Sequence, residues 1–361
     1  MTDQVTRLGA AEAMLRALDL ARGALGRTAP NPAVGAVVLH DGWVVGEGAT
    51  QPAGGPHAEI EALAAAGPRA RGATLVVTLE PCCHHGRTPP CTDAIVAAGI
   101  ARVVAGTVDP FPSVRGGGFA ALRAAGIEVV SGVEEEACRR VSRGFARAVT
   151  DGLPEVTLKV AMSLDGRIAT EPGESRWITG REARADGHRL RAEHDAVLIG
   201  ISTALADDPE LTVRWDGAPR TPVPVVLDSD LRLPTTAKLL ATGRAVVVAA
   251  DDAPGDLPAT VLRVPRTGRH LDVTAAFRAL AAYGLHRILV EGGGTVHRAV
   301  LDAGLADTVV AYVAGLLLPG GRPWVGGPPV ARLGEAHRLV LVDVARIGAD
   351  VRLTYEVPRP R

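Results

Sequence analysis

Three side chains able to bind one metal ion, His57, Cys82 and Cys91, set the strongest constraint on how this chain can fold. Each belongs to a different local pattern. His57 opens His-Ala-Glu at the head of an alanine-rich helical run, 58–66. Cys82 closes Glu80-Pro81-Cys82, directly after an apolar stretch of strand type, 74–79. Cys91 closes Pro89-Pro90-Cys91 and starts a second helical run, 91–98. One nitrogen and two thiolates suit a tetrahedral zinc with the fourth position left for water. The pieces between them must therefore fold back on one another. His57 and Cys91 stand at helix starts, where the dipole favours thiolate.

Glu59 lies two residues after the histidine, where it reaches the same water without ligating the metal. Such a set is the hardware of a zinc deaminase, with the glutamate as proton shuttle. The usual signature spaces its cysteines as Pro-Cys-x-x-Cys; here eight residues separate them, 83–90. The competing arrangement is a closed structural zinc in which His84 or His85 supplies a fourth ligand.

The first half alternates strand and helix patterns. Met14, Leu15, Leu18 and Leu25 recur at helical spacing. Pro30 and Pro32 hold Asn31 extended before a strand at 34–39, and Asp41-Gly42 marks a hairpin turn. Asn31 offers both a donor and an acceptor to a heterocycle edge. Further β and α patterns imply a layered α/β domain with parallel pairing. Asp109 follows the strand at 102–106, at the carboxyl edge where ligands usually bind.

A chain of 361 residues has room for two domains. Gly152 and Pro154 mark a short linker, so the expected division is 1–150 and 151–361. Aromatic residues make up only 3%, so the cores must be built from Ala, Val and Leu. A net charge of −1 gives no electrostatic case for nucleic acid or an anionic membrane. Four cysteines, two already given to metal, do not make a disulfide framework, and a cytoplasmic location is expected. Neither a signal-type apolar segment nor a membrane-spanning run is expected.

In the second half, the strand pattern at 287–290 runs into Glu291-Gly292-Gly293-Gly294-Thr295. Glycines between strand and helix let backbone amides approach a phosphate at the helix start. The run is not Gly-x-Gly-x-x-Gly and comes late in its domain, which argues against a Rossmann dehydrogenase.

Asn31 to Val38, Pro56-His57-Ala58-Glu59 and Thr78 to Cys91 together closely resemble the bifunctional deaminase–reductase family of riboflavin biosynthesis. The wide cysteine spacing is that family's habit. The resemblance continues through Lys159–Ala169, Gly173–Thr179, Leu205–Arg214 and Val290–Thr295. It implies an α/β chain: an N-terminal cytidine-deaminase-like three-layer domain followed by a dihydrofolate-reductase-like domain. It also implies zinc (Zn2+) on His57, Cys82 and Cys91, with Glu59 as proton shuttle. Asn31, His84, Arg87 and Asp109 would line the deaminase substrate site. Ala161, Trp177, Thr203, Asp207, Ser229, Gly293, Gly294 and Thr295 would contact NADPH. Lys159, Ser175, Arg191, Leu211, Arg214 and Glu291 would contact the reductase substrate, with Arg191 and Arg214 on its phosphate. The implied substrate is a small phosphoribosylamino-pyrimidine, first hydrolysed to release ammonia and then reduced from ribosyl to ribityl. A homo-oligomer, dimer or tetramer, is expected. Common members of the family carry serine at Cys83, histidine at Thr50 and asparagine at Phe111. Their Ala-Gly-Arg-Gly stands as Arg115-Gly116-Gly117-Gly118, and Arg115 is the candidate to replace the displaced arginine.

Overall fold

Alternating apolar strands and amphipathic helices build two units, which divide between Gly152 and Leu153. The structure is a computed structural model and describes residues 7–85, 89–112, 114–214 and 221–358.

The first unit runs α1 (Ala10–Ala24), β1 (Gly35–His40), β2 (Trp43–Ala49), α2 (Ala58–Ala66), β3 (Thr74–Leu79), α3 (Cys91–Ala97), β4 (Arg102–Thr107), α4 (Gly117–Ala124), β5 (Glu128–Ser131) and α5 (Glu135–Asp151). Its sheet has the order β2-β1-β3-β4-β5. β1 is antiparallel to both neighbours, and β3, β4 and β5 are parallel. Asp41 and Gly42 both take positive φ, 51° and 81°, as the tight hairpin turn between β1 and β2 requires. Residues pointing to opposite sides of each strand feed two cores. Leu75, Val77, Val103 and Ala105 pack with Ala62, Ile95 and Leu122 of α2, α3 and α4. Val37, Val76 and Val104 pack with Met14 and Leu18 of α1 and with Cys138 and Val141 of α5. Helix, sheet and helix thus form three layers. α5 runs past the expected end because Gly152, in the left-handed conformation, caps it and donates its N–H to the Arg147 carbonyl. The division falls within the Gly152 to Pro154 linker, two residues beyond the expected boundary at 150.

The second unit runs β6 (Glu155–Ser163), α6 (Arg181–Ala192), β7 (Ala196–Gly200), α7 (Ile201–Asp207), β8 (Val223–Leu227), β9 (Val246–Ala250), β10 (Thr260–Val264), α8 (Val273–Ala282), β11 (Arg287–Val290), α9 (Gly294–Asp302), β12 (Thr308–Ala314), β13 (Val340–Ile347) and β14 (Asp350–Glu356), besides short two-stranded ladders. The main sheet has the order β10-β9-β8-β7-β11-β6-β12-β14-β13. It is parallel from β10 to β12, and β14 and β13 extend it antiparallel. Phe277 and Leu280 of α8 and Val300 of α9 cover one face. Ala183 of α6, with Leu239 and Leu240, covers parts of the other. At the end strand β13, Val340, Leu341, Val342 and Val344 are all about half exposed. No helix among the described residues is long and apolar enough to cross a membrane.

Candidate active sites

In the first unit the carboxyl ends of β3 and β4 and the starts of α2 and α3 converge. His57 is the N-cap of α2, in extended conformation, and Cys91 is the first residue of α3. Cys82 lies in the irregular segment after β3. The Cys91 amide donates to Cys82 Sγ at 3.4 Å and the Thr92 amide to the Cys82 carbonyl at 3.2 Å, so two backbone bonds set the approach of the thiols. His57 Nδ1 lies 3.3 Å from Cys91 Sγ and 3.6 Å from Cys82 Sγ. A tetrahedral zinc with ordinary bond lengths separates a nitrogen and a sulfur ligand by roughly 3.5 Å, so the donor set fits that ion. The Cys91 thiol hydrogen-bonds Cys82, which draws the Cys82 thiol down to about 4 against the effect of burial and pushes Cys91 up.

Among the described residues no fourth histidine, cysteine or carboxylate joins this cluster. His84 instead sits against Phe111, ring centroids 6.2 Å apart, and His85 is exposed. The geometry therefore favours an open site over a closed structural one. Glu59, 4% exposed, has its carboxyl pushed up to about 7 by burial, with the Cys82 charge adding.

A cavity of about 340 Å³ opens on these groups. Asn31, His84 and Asp109 line it together with His57, Glu59 and Cys82. Arg87 lies outside the described residues. Burial pushes the Asp109 carboxyl up to about 6, against the Phe111 amide that donates to it at 2.8 Å. Thr50 also lines the cavity, but its hydroxyl is engaged with the Val34 backbone, 3.2 Å from the amide. Arg115 is exposed and does not line the cavity. Phe145 and Val149 of α5 do, and sequence pattern offered no sign of it, since α5 reads as a charged helix.

In the second unit a cavity of about 640 Å³ gathers Lys159, Ala161, Ser175, Trp177 and Asp207 with Arg191, Leu211, Arg214 and Glu291. Its base is an ion-pair triad. Arg191 donates from Nε and Nη2 to the two Glu291 oxygens at 2.7 and 2.8 Å, and from Nη1 to the Thr212 carbonyl at 2.9 Å. Lys159 Nζ stands 3.9 Å from Glu291. Burial opposes the Glu291 charge, but Arg191 and Lys159 outweigh it and hold the carboxyl down to about 2. The Arg191 fork, expected on a phosphate, is thus largely occupied. Arg214 is exposed at the rim, and its amide donates to His188 Nδ1 at 3.2 Å. Burial and Arg191 lower the His188 pKa. His188 and Arg184 also line the cavity and went unmarked in the sequence, although 184, 188 and 191 share one face of α6 at helical spacing. The Arg184 guanidinium stacks on the exposed Trp177 ring at 4.4 Å.

Thr203, Ser229, Gly293, Gly294 and Thr295 do not line this cavity. The three glycines at 292–294 differ in their reasons. A side chain at Gly292 would crowd Val296, and one at Gly294 would meet the Gly326 amide and the Pro323 carbonyl at 2.8 Å. Only Gly293 looks onto space, with Thr203 Oγ1 its nearest neighbour at 3.5 Å. It is the N-cap of α9, which has no side-chain cap. First-turn amides beside the Thr203 hydroxyl fit an anionic group such as a cofactor phosphate. Ser229 lies just beyond β8, its carbonyl accepting from Arg266.

Comparisons with known proteins match both units. The cytidine and deoxycytidylate deaminase zinc-binding region matches residues 9–107, and the RibD C-terminal domain matches residues 154–353. The riboflavin biosynthesis protein RibD of Escherichia coli K12 is 41% identical over 356 residues, covering 94% of this chain and 97% of that protein. RibD of Mycobacterium tuberculosis H37Rv is 40% identical over 348 residues, covering 95% and 96%. Among solved structures, Acinetobacter baumannii RibD superposes with a TM-score of 0.88 at 38% identity, covering 97% of this chain and 99% of that one. The Thermotoga maritima diaminohydroxyphosphoribosylaminopyrimidine deaminase/5-amino-6-(5-phosphoribosylamino)uracil reductase gives 0.87 at 36% identity, with the same coverage.

The open cluster separates two substitutions. Cys91→Ser should lose zinc on gel filtration while His85→Ala keeps it, as read by elemental analysis. Zinc retained by the first, or lost by the second, would contradict an open three-ligand site.

Proposed function

The chain belongs to the RibD family of bifunctional riboflavin-biosynthesis enzymes, and we propose that the residues of its two cavities carry the two reactions in succession. The substrate is the diaminohydroxyphosphoribosylaminopyrimidine named for its Thermotoga relative. The first reaction releases ammonia from the pyrimidine ring, and the second converts the ribosylamino group to ribitylamino. The observation that carries the deaminase assignment is the open His57, Cys82 and Cys91 cluster with buried Glu59 on the same cavity wall.

Zinc, held by His57, Cys82 and Cys91, supplies the activation of water for attack on the ring carbon that bears the amino group. Glu59 takes the proton that the water loses and hands it to the departing ammonia. Asn31 presents its amide to the heterocycle edge, and Asp109 and His84 hold the rest of the molecule from the same cavity.

NADPH supplies the hydride, delivered to C1 of the ring-opened ribosyl chain. Thr203, Gly293, Gly294 and Thr295 at the start of α9 would hold its phosphates, and Ser229, Ala161, Trp177 and Asp207 would contact the rest of it. Lys159 donates the proton to the nitrogen of the C1=N double bond of the ring-opened chain as that bond is reduced to C1–N. Glu291 is excluded from that role, because Arg191 and Lys159 keep it an anion; it holds the Lys159 ammonium in place instead. Ser175 and Leu211 border the substrate, and Arg214, free at the rim, takes its phosphate. Arg191 acts by fixing Glu291 and the Thr212 backbone.

Half-exposed Val340, Leu341, Val342 and Val344 on an end strand support a homo-oligomer in which a second copy covers β13; a monomeric mass by light scattering would dismiss it. Free cysteines suit a reducing cytoplasm, where we place the enzyme.

Glu59→Ala should keep its zinc and lose ammonia release by about 10²- to 10⁴-fold, with NADPH oxidation on supplied deaminated substrate unchanged. Substantial remaining deamination would remove Glu59 from the reaction. Lys159→Met should lower the reductase kcat by about 10²-fold or more without touching deamination. A variant that changes only KM would make Lys159 a binding residue rather than the acid.

A further inference from the structure

Glu80 directly follows β3, two residues before Cys82, yet the reaction gives its carboxylate no task. It is 2% exposed. Its oxygens reach the chain beyond β4: Oε2 accepts from the amides of Asp109 and Gly116, both at 3.0 Å, and Oε1 accepts from the Phe119 amide at 3.1 Å. Gly116 is the N-cap of α4 and has no side chain to cap it. Phe119 is the third residue of that helix. Glu80 therefore caps α4 from another part of the chain, filling two donors that a helix start leaves unmade. With the Asp109 amide it fastens both ends of the segment 109–116 to a single carboxylate. Asp109 at the first anchor and Phe111 and Val114 between the two all stand on the wall of the deaminase cavity. A second contact fixes the same joint. A Cβ at Gly118 would come 2.1 Å from the Pro81 carbonyl, so the first turn of α4 rests directly on the backbone between Glu80 and Cys82.

We propose that Glu80 is a positioning residue of the deaminase: its carboxylate registers the substrate-facing wall of Asp109, Phe111 and Val114 against the loop that carries Cys82. The proposal rests on the reading of the first cavity as the deaminase site. Substrate affinity depends on that register, whereas proton transfer by Glu59 does not. Gly118 belongs to the same device, since α4 approaches Pro81 too closely for a side chain there.

Glu80→Gln isolates the carboxylate with almost no change of volume. Whichever way the new amide turns, its NH2 faces either the Phe119 amide or those of Asp109 and Gly116, donor against donor. Losing a hydrogen bond to a charged group in this way corresponds to about a tenfold effect or more. The zinc-loaded full chain of E80Q should show a deaminase KM raised about tenfold or more, with kcat within about threefold of the parent. Its zinc content and its NADPH oxidation on supplied deaminated substrate should stay unchanged. Glu80→Asp, which keeps both oxygens on a shorter arm, should lie between. An unchanged KM, or a loss of zinc and kcat without a KM effect, overturns the proposal. If E80Q does not fold, Gly118→Ala pushes the same turn off Pro81 with the carboxylate intact. It should give the same KM rise, and a folded, zinc-loaded G118A with parental KM overturns the proposal equally. A parent chain that releases no ammonia removes the deaminase reading and this proposal with it; an active parent with an unaltered E80Q removes the proposal alone.

Discussion

Everything in the first unit depends on bringing one imidazole and two thiols within reach of a single metal ion. His57, Cys82 and Cys91 come from three stretches, and none is held by the metal-type contacts alone. α2 starts at His57, α3 starts at Cys91, and the Cys91 and Thr92 amides turn back onto Cys82. The parallel pairing of β3 and β4 then puts Asp109 beside the metal loop. Glu59, two residues past the ligand, is carried into the buried side of the same cavity. The cofactor chemistry is thus confined to one end of a sheet whose two faces are closed by small aliphatic side chains.

The second unit solves a different problem with charge. A carboxylate placed in a buried pocket is costly unless it is paired and hydrogen-bonded. Glu291 meets both conditions through Arg191, with Lys159 as the second cation. Because Arg191 holds both Glu291 oxygens, the proposed reaction gives the acid role to Lys159 rather than to Glu291. The pairing also explains why Arg214 rather than Arg191 is free to meet an anion at the rim.

Much of this was legible in the chain because its signals are local. His-Ala-Glu before an alanine run, Glu-Pro-Cys after an apolar strand and Pro-Pro-Cys before a helix each announce their own element. The unit boundary moved by only two residues, because α5 runs to Asp151 and Gly152 caps it. What escaped depends on distant partners. Arg191 reads as a phosphate holder until Glu291, a hundred positions away, is seen to occupy its fork. Phe145 and Val149 lie on a helix whose charges mask the side that reaches the cavity. The glycine run does not announce that 292 and 294 also answer to packing, against Val296 and against Pro323 and Gly326, while Gly293 stands open. Side-chain period and turn chemistry carry no information about such meetings; only the packed fold does.

The central claim is that one chain performs two reactions in a fixed order, deamination at the zinc site and then reduction at the second cavity. The most direct test follows ammonia release and NADPH oxidation together, with purified protein and the diaminopyrimidine ribosyl phosphate. Ammonia should appear without NADPH, and NADPH should be consumed only after ammonia has been released. Oxidation of NADPH with no ammonia formed would contradict the account, and would leave the His57, Cys82 and Cys91 cluster without the role assigned to it.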